Sequence, residues 1–376
     1  MSNRTGDQPV LPADIGVSMA NIHDVARVAG VSISTVSYAL SGKRPIGEKT
    51  RLRIDEAVRE LDYMPNAAGR MLGGTRTRIF ALTAPLRNDT YAPAHMAFVL
   101  AVVTAARAHD YDVLLLTEDE ATGGLRRVSS SRLVDGIIVL DVSVNDERAD
   151  LVRSLGVPAA LIGVPGNAEG LVCVDLDFEA AAALAVDRLV DAGHTSLALL
   201  GHPRAVYERG SNFPMRFRDG FLARAAERGV PAVFTMVEKD SPQIRAALDG
   251  VLDGAAGGAE GAATDSVHNG APGSAHAPTG IVVHAEEGVH KVILEEIAHR
   301  GLSIPADLSV IAGVPTFDTS SFMPALDSIP LIPADSCVRA VELAVQQLDG
   351  TVEPRVELVA PKYRDHGSVA APRPGS

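Results

Sequence analysis

Residues 21–37 read Asn21-Ile22-His23-Asp24-Val25-Ala26-Arg27-Val28-Ala29-Gly30-Val31-Ser32-Ile33-Ser34-Thr35-Val36-Ser37, and the fold turns on how this run buries its apolar positions. Ile22, Val25, Ala26 and Ala29 follow the i, i+3, i+4, i+7 spacing that places all four on one helical face. Asn21 can cap the start of that helix, with Asp24 beside its positive end. Gly30 ends it, and Ser32 can cap the next by offering its hydroxyl to a free backbone N–H. In the second helix Val36, Ala39 and Leu40 are expected inward, which leaves Ile33, Ser34, Ser37 and Tyr38 on the outer face. A third helix, expected at 48–61, carries Ile54, Ala57, Val58 and Leu61 at core spacing, with Lys49, Arg51, Arg53 and Arg59 around them. Two helices joined by a tight glycine turn, backed by a third, form a helix-turn-helix, whose second helix enters the major groove of DNA.

Working outward, charge supports this assignment. The net charge of the 376-residue chain is −13, which taken alone disfavours a nucleic-acid binder. It is unevenly spread, since residues 19–77 hold nine Lys/Arg against six Asp/Glu, a local +3 on a body of −16. Such a chain would approach DNA by its basic module while the acidic body stays off the phosphates. An apolar fraction of 46% suits a globular protein of a small domain plus one or two larger ones. No apolar run approaches a membrane span, and the first residues lack a basic start and an apolar segment, so a cytoplasmic protein is expected. Cys173 and Cys337 lie far apart in apolar contexts and indicate no disulfide framework.

Residues 1–18 are polar and aperiodic and are expected to be a disordered tail, ahead of a helix-turn-helix domain at 19–64. In the segment 65–77, Asn66 could cap a short helix, but so few residues cannot meet the nucleation cost of a helix alone. From residue 78 onward apolar runs alternate with helical stretches. Strands are expected at 79–84, 113–117, 136–140, 159–162, 197–200, 232–237, 280–284 and 308–312, with helices such as 95–109, 178–192, 217–228 and 289–300 between them. That alternation marks an α/β architecture of doubly wound parallel sheets covered on both faces. Residues 253–279, rich in Gly, Ala and Pro, break the pattern and are expected to be a disordered insertion; 367–376 read as a tail.

The run 22–37, with Tyr63-Met64-Pro65-Asn66-Ala67-Ala68 after it, resembles the signature of the lactose-repressor (LacI/GalR-type) family of bacterial transcription regulators. The resemblance covers about fifty consecutive positions and continues into the α/β core. It implies an all-α helix-turn-helix headpiece on two periplasmic-binding-protein-like lobes, over 78–366, with three chain crossings between them. The N-lobe is expected at about 78–175 and 326–350, the C-lobe at about 176–325 and 351–366. It also implies that the 65–77 segment becomes a helix in the minor groove when two subunits bind together. Leu72 stands at the position of the family's wedging leucine, with Ala67 and Met71 beside it. Gly69 replaces the more usual alanine, which weakens that helix by about 1 kcal/mol. Met19 lies where the resembling proteins begin, and with no leucine heptad at the C-terminus a dimer is expected.

For DNA, Ser34, Ser37 and Tyr38 can hydrogen-bond base edges and Ile33 can meet a thymine methyl. Tyr38 stands where the family often has arginine, and half-buried packing is as open to it as base contact. Ser32, Thr35, Thr50, Tyr63 and Asn66 carry hydroxyl or amide groups suited to phosphates, which position without reading sequence. Ligands of open α/β lobes sit beyond the carboxyl ends of the strands. That points to Arg87, Asn88, Asp89 and Tyr91 after the first strand, Asp141 after the third, Arg216 and Arg218, and Glu286 and Glu287 after His284. The family's Asn-Asp and Phe-Asp-Asp elements are replaced here by Glu286-Glu287 and Gly313-Val314-Pro315, so the groups that would clamp sugar hydroxyls are partly replaced and the small-molecule ligand need not be a simple sugar. There is no G-x-S-x-G, phosphate loop or CxxC pair, and His284, His290 and His299 lack the spacing of a helical zinc pair. His194 reads as the end of a helix. No catalytic residue, metal site or cofactor is therefore expected, and the function expected is a DNA-binding regulator, a repressor whose partners are an operator, a small-molecule effector and a second copy. The other reading is a small-molecule binding protein that shares only the lobes.

The wedge reading carries a test: Leu72→Ala should weaken binding to an inverted-repeat operator far more than binding to random duplex. Equal losses on the two DNAs in a fluorescence titration would remove the wedge.

Overall fold

Asn21 opens the first helix as its side chain allows. Its Oδ1 accepts from the amides of His23 and Asp24 at 2.8 and 3.3 Å, while Asp24 reaches back to the Asn21 amide at 3.1 Å, a reciprocal capping box. This computed structural model describes residues 20–41, 44–63, 76–117, 121–253, 267–268 and 277–373, and the chain divides into two units at Thr77 and Arg78. In the first unit, α1 (Ile22–Ala29), α2 (Ile33–Ser41) and α3 (Glu48–Glu60) share a core of Val25, Ala26, Ala29, Val36, Ala39, Ile54 and Ala57. Gly30 stands at φ 63°, the left-handed turn that an L side chain adopts only with strain.

Two expectations fail in this unit. Leu40, expected inward, is 37% exposed, because the core closes over Val36 and Ala39 and the last turn of α2 runs past it. Tyr63, expected at a phosphate, is 6% exposed and packs into the three-helix core, its amide donating to the Val58 carbonyl at 2.9 Å. Ala67, Met71 and Leu72, with Asn66, lie outside the described residues.

In the second unit the described strands are β1 (Ile79–Thr83), β2 (Asp112–Leu116), β3 (Gly136–Leu140), β4 (Ala159–Ile162), β5 (Val172–Leu176), β6 (Leu197–Gly201), β7 (Ala232–Met236), β8 (Val267–His268), β9 (Gly280–Val283), β10 (Ser309–Gly313), β11 (Asp327–Ile329) and β12 (Arg355–Val359). They form two six-stranded sheets, β12-β5-β4-β3-β1-β2 and β11-β10-β9-β6-β7-β8. Every neighbour pair is parallel except β7 with β8. β3, β6 and β10 are buried along their whole length, as strands covered by helices on both faces must be.

All eight expected strands form, and the three crossings occur, but the lobe boundaries differ. β11 pairs with β10, so residues 327–329 belong to the second lobe. β12 pairs with β5, so 355–359 belong to the first. The chain leaves the first lobe after β5 and returns after β11 for helix Pro333–Leu348 and β12. It ends on the second lobe, where Ser368 Oγ donates to the Val310 carbonyl at 2.5 Å. β5, β11 and β12 escape a periodicity reading for separate reasons. Asp175 interrupts β5, β11 has three residues, and β12 alternates charged and apolar residues as a half-exposed edge does. The insertion expected at 253–279 contains one paired element, β8; its other residues from 254 to 276 lie outside the described set.

Helices Phe178–Asp191 and Asn212–Glu227 cross closely in the second lobe. A Cβ added at Gly220 would sit 2.8 Å from the Glu179 Cα and 3.0 Å from its carbonyl oxygen. Gly220→Ala should therefore lower stability by about 1–3 kcal/mol through overpacking, although alanine gains about 1 kcal/mol in helix propensity. Urea unfolding checks the sign; a stabilised variant would mean the two helices can part.

Candidate nucleic-acid interface and ligand cleft

At the start of α2 three hydroxyls converge. Ser32 Oγ accepts from the Thr35 amide at 3.2 Å and shares hydrogen bonds with Ser34 Oγ at 2.8 Å and Thr35 Oγ1 at 2.7 Å. A cluster of hydroxyls and first-turn amides at a helix N-terminus suits a phosphate oxygen. From there the outer face of α2 runs through Ile33, 41% exposed, Ser34, Ser37 and Tyr38, 40% exposed. Among the described residues neither Ile33 nor Tyr38 is part of the headpiece core. Thr50 lies half-buried in the first turn of α3, and Arg27, Arg44, Lys49, Arg51, Arg53 and Arg59 are exposed around the module.

In the second unit each sheet winds outward in both directions from an inner pair, β1/β3 in one and β6/β9 in the other. Adjacent loops there leave in opposite directions and open a crevice at the carboxyl ends of the strands. A cavity of about 180 Å³ lies at both switch points together. The first lobe lines it with Asp89 and Tyr91 after β1, Asp141 after β3, Gly163 after β4 and Asp175 on β5. The second lobe contributes His202 after β6, Arg209, Phe213, His284 and Glu286 after β9, and Val314 to Phe317 after β10.

The two sides are clasped. Arg209 donates from Nε to Asp89 at 3.0 Å and from Nη1 to Asp141 at 3.2 Å, both across the cleft. Behind it Arg87 holds Asp141 at 2.5 Å, and Lys239 reaches the Asp89 carbonyl at 3.0 Å while pairing with Glu286 at 2.5 Å. The Val144 amide donates to the Gly210 carbonyl at 2.8 Å, and Ser143 and Ser211 form an antiparallel bridge. Asp141 and Val314, where β3 and β10 end, stand at φ 58° and 53°. Left-handed backbone at a β-branched residue costs about 1–3 kcal/mol and concentrates at ligand sites.

Of the expected effector residues, Asp89, Tyr91, Asp141 and Glu286 line the cavity. Arg87 stands one layer behind, and Asn88 is exposed on the preceding turn. Arg216 is spent on Asp175 at 2.9 Å and on Glu179. Arg218 pairs with Asp219 and lies over Tyr207, and Glu287 pairs with Lys291 at 2.6 Å. None of the three lines the cavity: Arg216 is held against Asp175 and Glu179 behind the lining, and Arg218 and Glu287 are held by ion pairs within their own helices. Arg209, His202, His284 and Phe213 are additions. His202 sits one residue past β6, where the strand-end rule could have found it; Arg209 reaches the cleft from the end of the short helix Arg204–Glu208, which no rule anticipates.

Burial pushes the Asp175 carboxyl up to about 7 against the pull of Arg216. His284 is buried, its ring 4.6 Å from that of His202 at 84° and 4.4 Å from that of Phe217. Among the described residues His202 Nε2 and His284 Nδ1 have no hydrogen-bond partner. His290 lies against Phe317, its ring nitrogens on the Glu286 and Val283 carbonyls. His194, at the end of helix Phe178–Asp191, bonds Thr279 at 2.8 Å and is structural. Among the described residues no group of three or more His, Cys, Asp or Glu could hold a metal, and no helix is long and apolar enough to cross a membrane.

A helix-turn-helix headpiece followed by two parallel-sheet lobes with a cleft defines a class of architecture, a helix-turn-helix module on a periplasmic-binding fold. Residues 21–66 match the family of bacterial regulatory proteins described as lacI, and residues 186–369 match the periplasmic binding protein-like domain. The chain is thus similar to the lacI family over its headpiece and to periplasmic binding protein-like domains over much of its second unit. It is 31% identical over 183 residues to catabolite control protein A of Staphylococcus xylosus, covering 48% of this chain and 55% of that one. With AglR, an HTH-type transcriptional regulator of Rhizobium meliloti, it shares 30% over 216 residues, 56% and 59% of the two chains. The chain thus spans little more than half the length of these curated relatives; a catabolite control protein A of Priestia megaterium aligns over 86% of its length at 27% identity. The fold is that of the lac repressor dimer solved with operator and an anti-inducer, with TM-score 0.72, 22% identity and coverage of 94% and 99%.

The cleft histidines set a pH dependence. Burial holds His202 down at about 3, His290 at about 4 and His284 well below the ordinary 6.5. Below pH 6.5 the unfolded chain takes up protons that the folded chain refuses, so stability is fully present above that pH and is lost as pH falls towards 4. Each histidine contributes up to about 1.4 kcal/mol per pH unit in that window. Urea midpoints should drop between pH 7.5 and 5.5, and less so in His284→Phe, with Asp175 opposing part of the drop because its folded carboxyl takes up a proton as pH falls below about 7; identical profiles in the two proteins would count against burial of the neutral rings.

Proposed function

We propose that the chain is a sequence-specific DNA-binding transcription regulator, a repressor acting as a dimer on a near-palindromic operator. Its affinity for DNA is set by a small molecule in the cleft. The observation that carries this is the outer row of α2, where Ile33 and Tyr38 stand exposed beside a hydroxyl cluster and a ring of basic residues. The lac repressor, which shares the fold, is solved as a dimer on its operator, and CelR, another neighbour, with cellobiose. Both support the reading by analogy.

The dimer has a candidate surface in the first lobe. Helix Ala92–Arg107 exposes Met96, Leu100 (62%) and Val103 at i, i+4, i+7 spacing, and β2 beside it exposes Leu115. A row of apolar side chains left in water at helical spacing is what a partner copy covers. Regulation follows from linkage. A ligand that prefers one arrangement of the lobes alters DNA affinity, and DNA alters ligand affinity by the same factor. The cytoplasm is the place where such a regulator meets DNA, and no catalysed step is assigned to it.

Fluorescence titration tests this. Affinity for a selected inverted repeat should fall steeply with salt. Leu100→Arg should abolish the preference for the inverted repeat over a single half-site while leaving half-site binding in place. No preference for any inverted repeat, or a flat salt response, would overturn the reading.

A further inference from the structure

The charged groups of the cleft leave little for a charged or polyhydroxylated ligand to hold. Four carboxylates line the cavity, and each already faces a cation: Asp89 and Asp141 face Arg209, Asp175 faces Arg216, and Glu286 faces Lys239. For Asp175 both oxygens are engaged, one by Arg216 and the other by the Leu176 amide at 3.0 Å. Arg209, the cation among the lining residues, spends its fork on two aspartates, so a ligand anion finds no free partner there. A sugar would need those carboxylates for its hydroxyls and would have to break the clasp that closes the cleft.

What remains is aromatic and neutral. Tyr91, Phe98, Phe178, Phe213 and Phe317 stand around the cavity. The ring of Phe213 lies 5.3 Å from that of His202 and 5.8 Å from that of His284, both edge to face. Stacked and edge-to-face ring contacts favour a flat partner. His202 and His284 line the same cavity, and among the described residues each keeps one nitrogen without a partner, an unmet hydrogen bond that a ligand group can satisfy.

We propose that the cleft takes an uncharged, flat, ring-containing molecule whose hydrogen-bonding edge meets His202 and His284, and that polyols and anions are excluded. This deepens the regulator reading in one respect only, that the cleft is the effector site. Burial supports it by keeping both imidazoles neutral, so that neither acts as a cation.

Thermal shift and calorimetry on the full chain test the class with defined probes. Benzamide, uracil and indole stand for neutral rings, glucose and cellobiose for polyols, benzoate and glucose 6-phosphate for anions. At least one neutral ring should bind at about 1 mM or below, with affinity changing less than about twofold between about 0.1 and 0.5 M salt. In His284→Phe, which keeps a ring in the slot and removes the nitrogen, that probe should bind about tenfold more weakly. His202→Phe serves the same purpose should the first variant fail to fold. Binding of a polyol or an anion without any neutral ring overturns the proposal, as does binding of none of the rings, or unchanged affinity in the folded variant. Failure of the operator titration would sink the regulator reading and leave this result standing; the converse also holds.

Discussion

Parallel strands cannot be joined by tight turns, and the second unit is built on that constraint. Each return to the start of the sheet needs a helical crossover, and the helices cover both faces, so the loops at the strands' carboxyl ends are the concave surface left open. With two such sheets sharing one chain, both crevices contribute to a single cavity, and loops far apart in sequence become opposite walls. The functional geometry is therefore a consequence of strand order. Asp89 and His284 meet the same cavity because β1 and β9 each flank a switch point.

Closing those walls brings acids and bases together in a space of low polarity, where an unpaired charge is costly. The chain resolves this by pairing across the cleft. Arg209 from one lobe satisfies Asp89 and Asp141 from the other, and backbone bonds at Val144 and Gly210 reinforce the contact. The histidines respond to the same surroundings by giving up their charge. Neutral nitrogens and aromatic rings consequently make up much of the cavity lining, while the charged groups act as the clasp.

The headpiece works on a different scale. Its core is a few small residues, Val25, Ala26, Ala29, Val36, Ala39, Ile54 and Ala57, just enough to hold three short helices at fixed angles. Recruiting Tyr63 to that core is understandable in a module this small, since one aromatic ring adds more buried area than several alanines. The outer face of α2 is then free of structural duty.

The sequence by itself determined the local matters: where α1 starts and stops, which face of α2 turns outward, and the eight strands whose apolar runs are long enough to stand out. Capping, helical period and buried-strand composition are short-range effects, and Asn21, Gly30 and Ser32 act within four residues. Tertiary structure decided what depends on pairing. β12 could be assigned to the first sheet only by its register with β5, because an edge strand's alternation is compatible with either lobe. Arg216, expected at the cleft, turns to Asp175 and Glu179 beside it, while Arg209, which no local pattern marks, spans the cleft, because a guanidinium follows the nearest carboxylate in space and not in sequence.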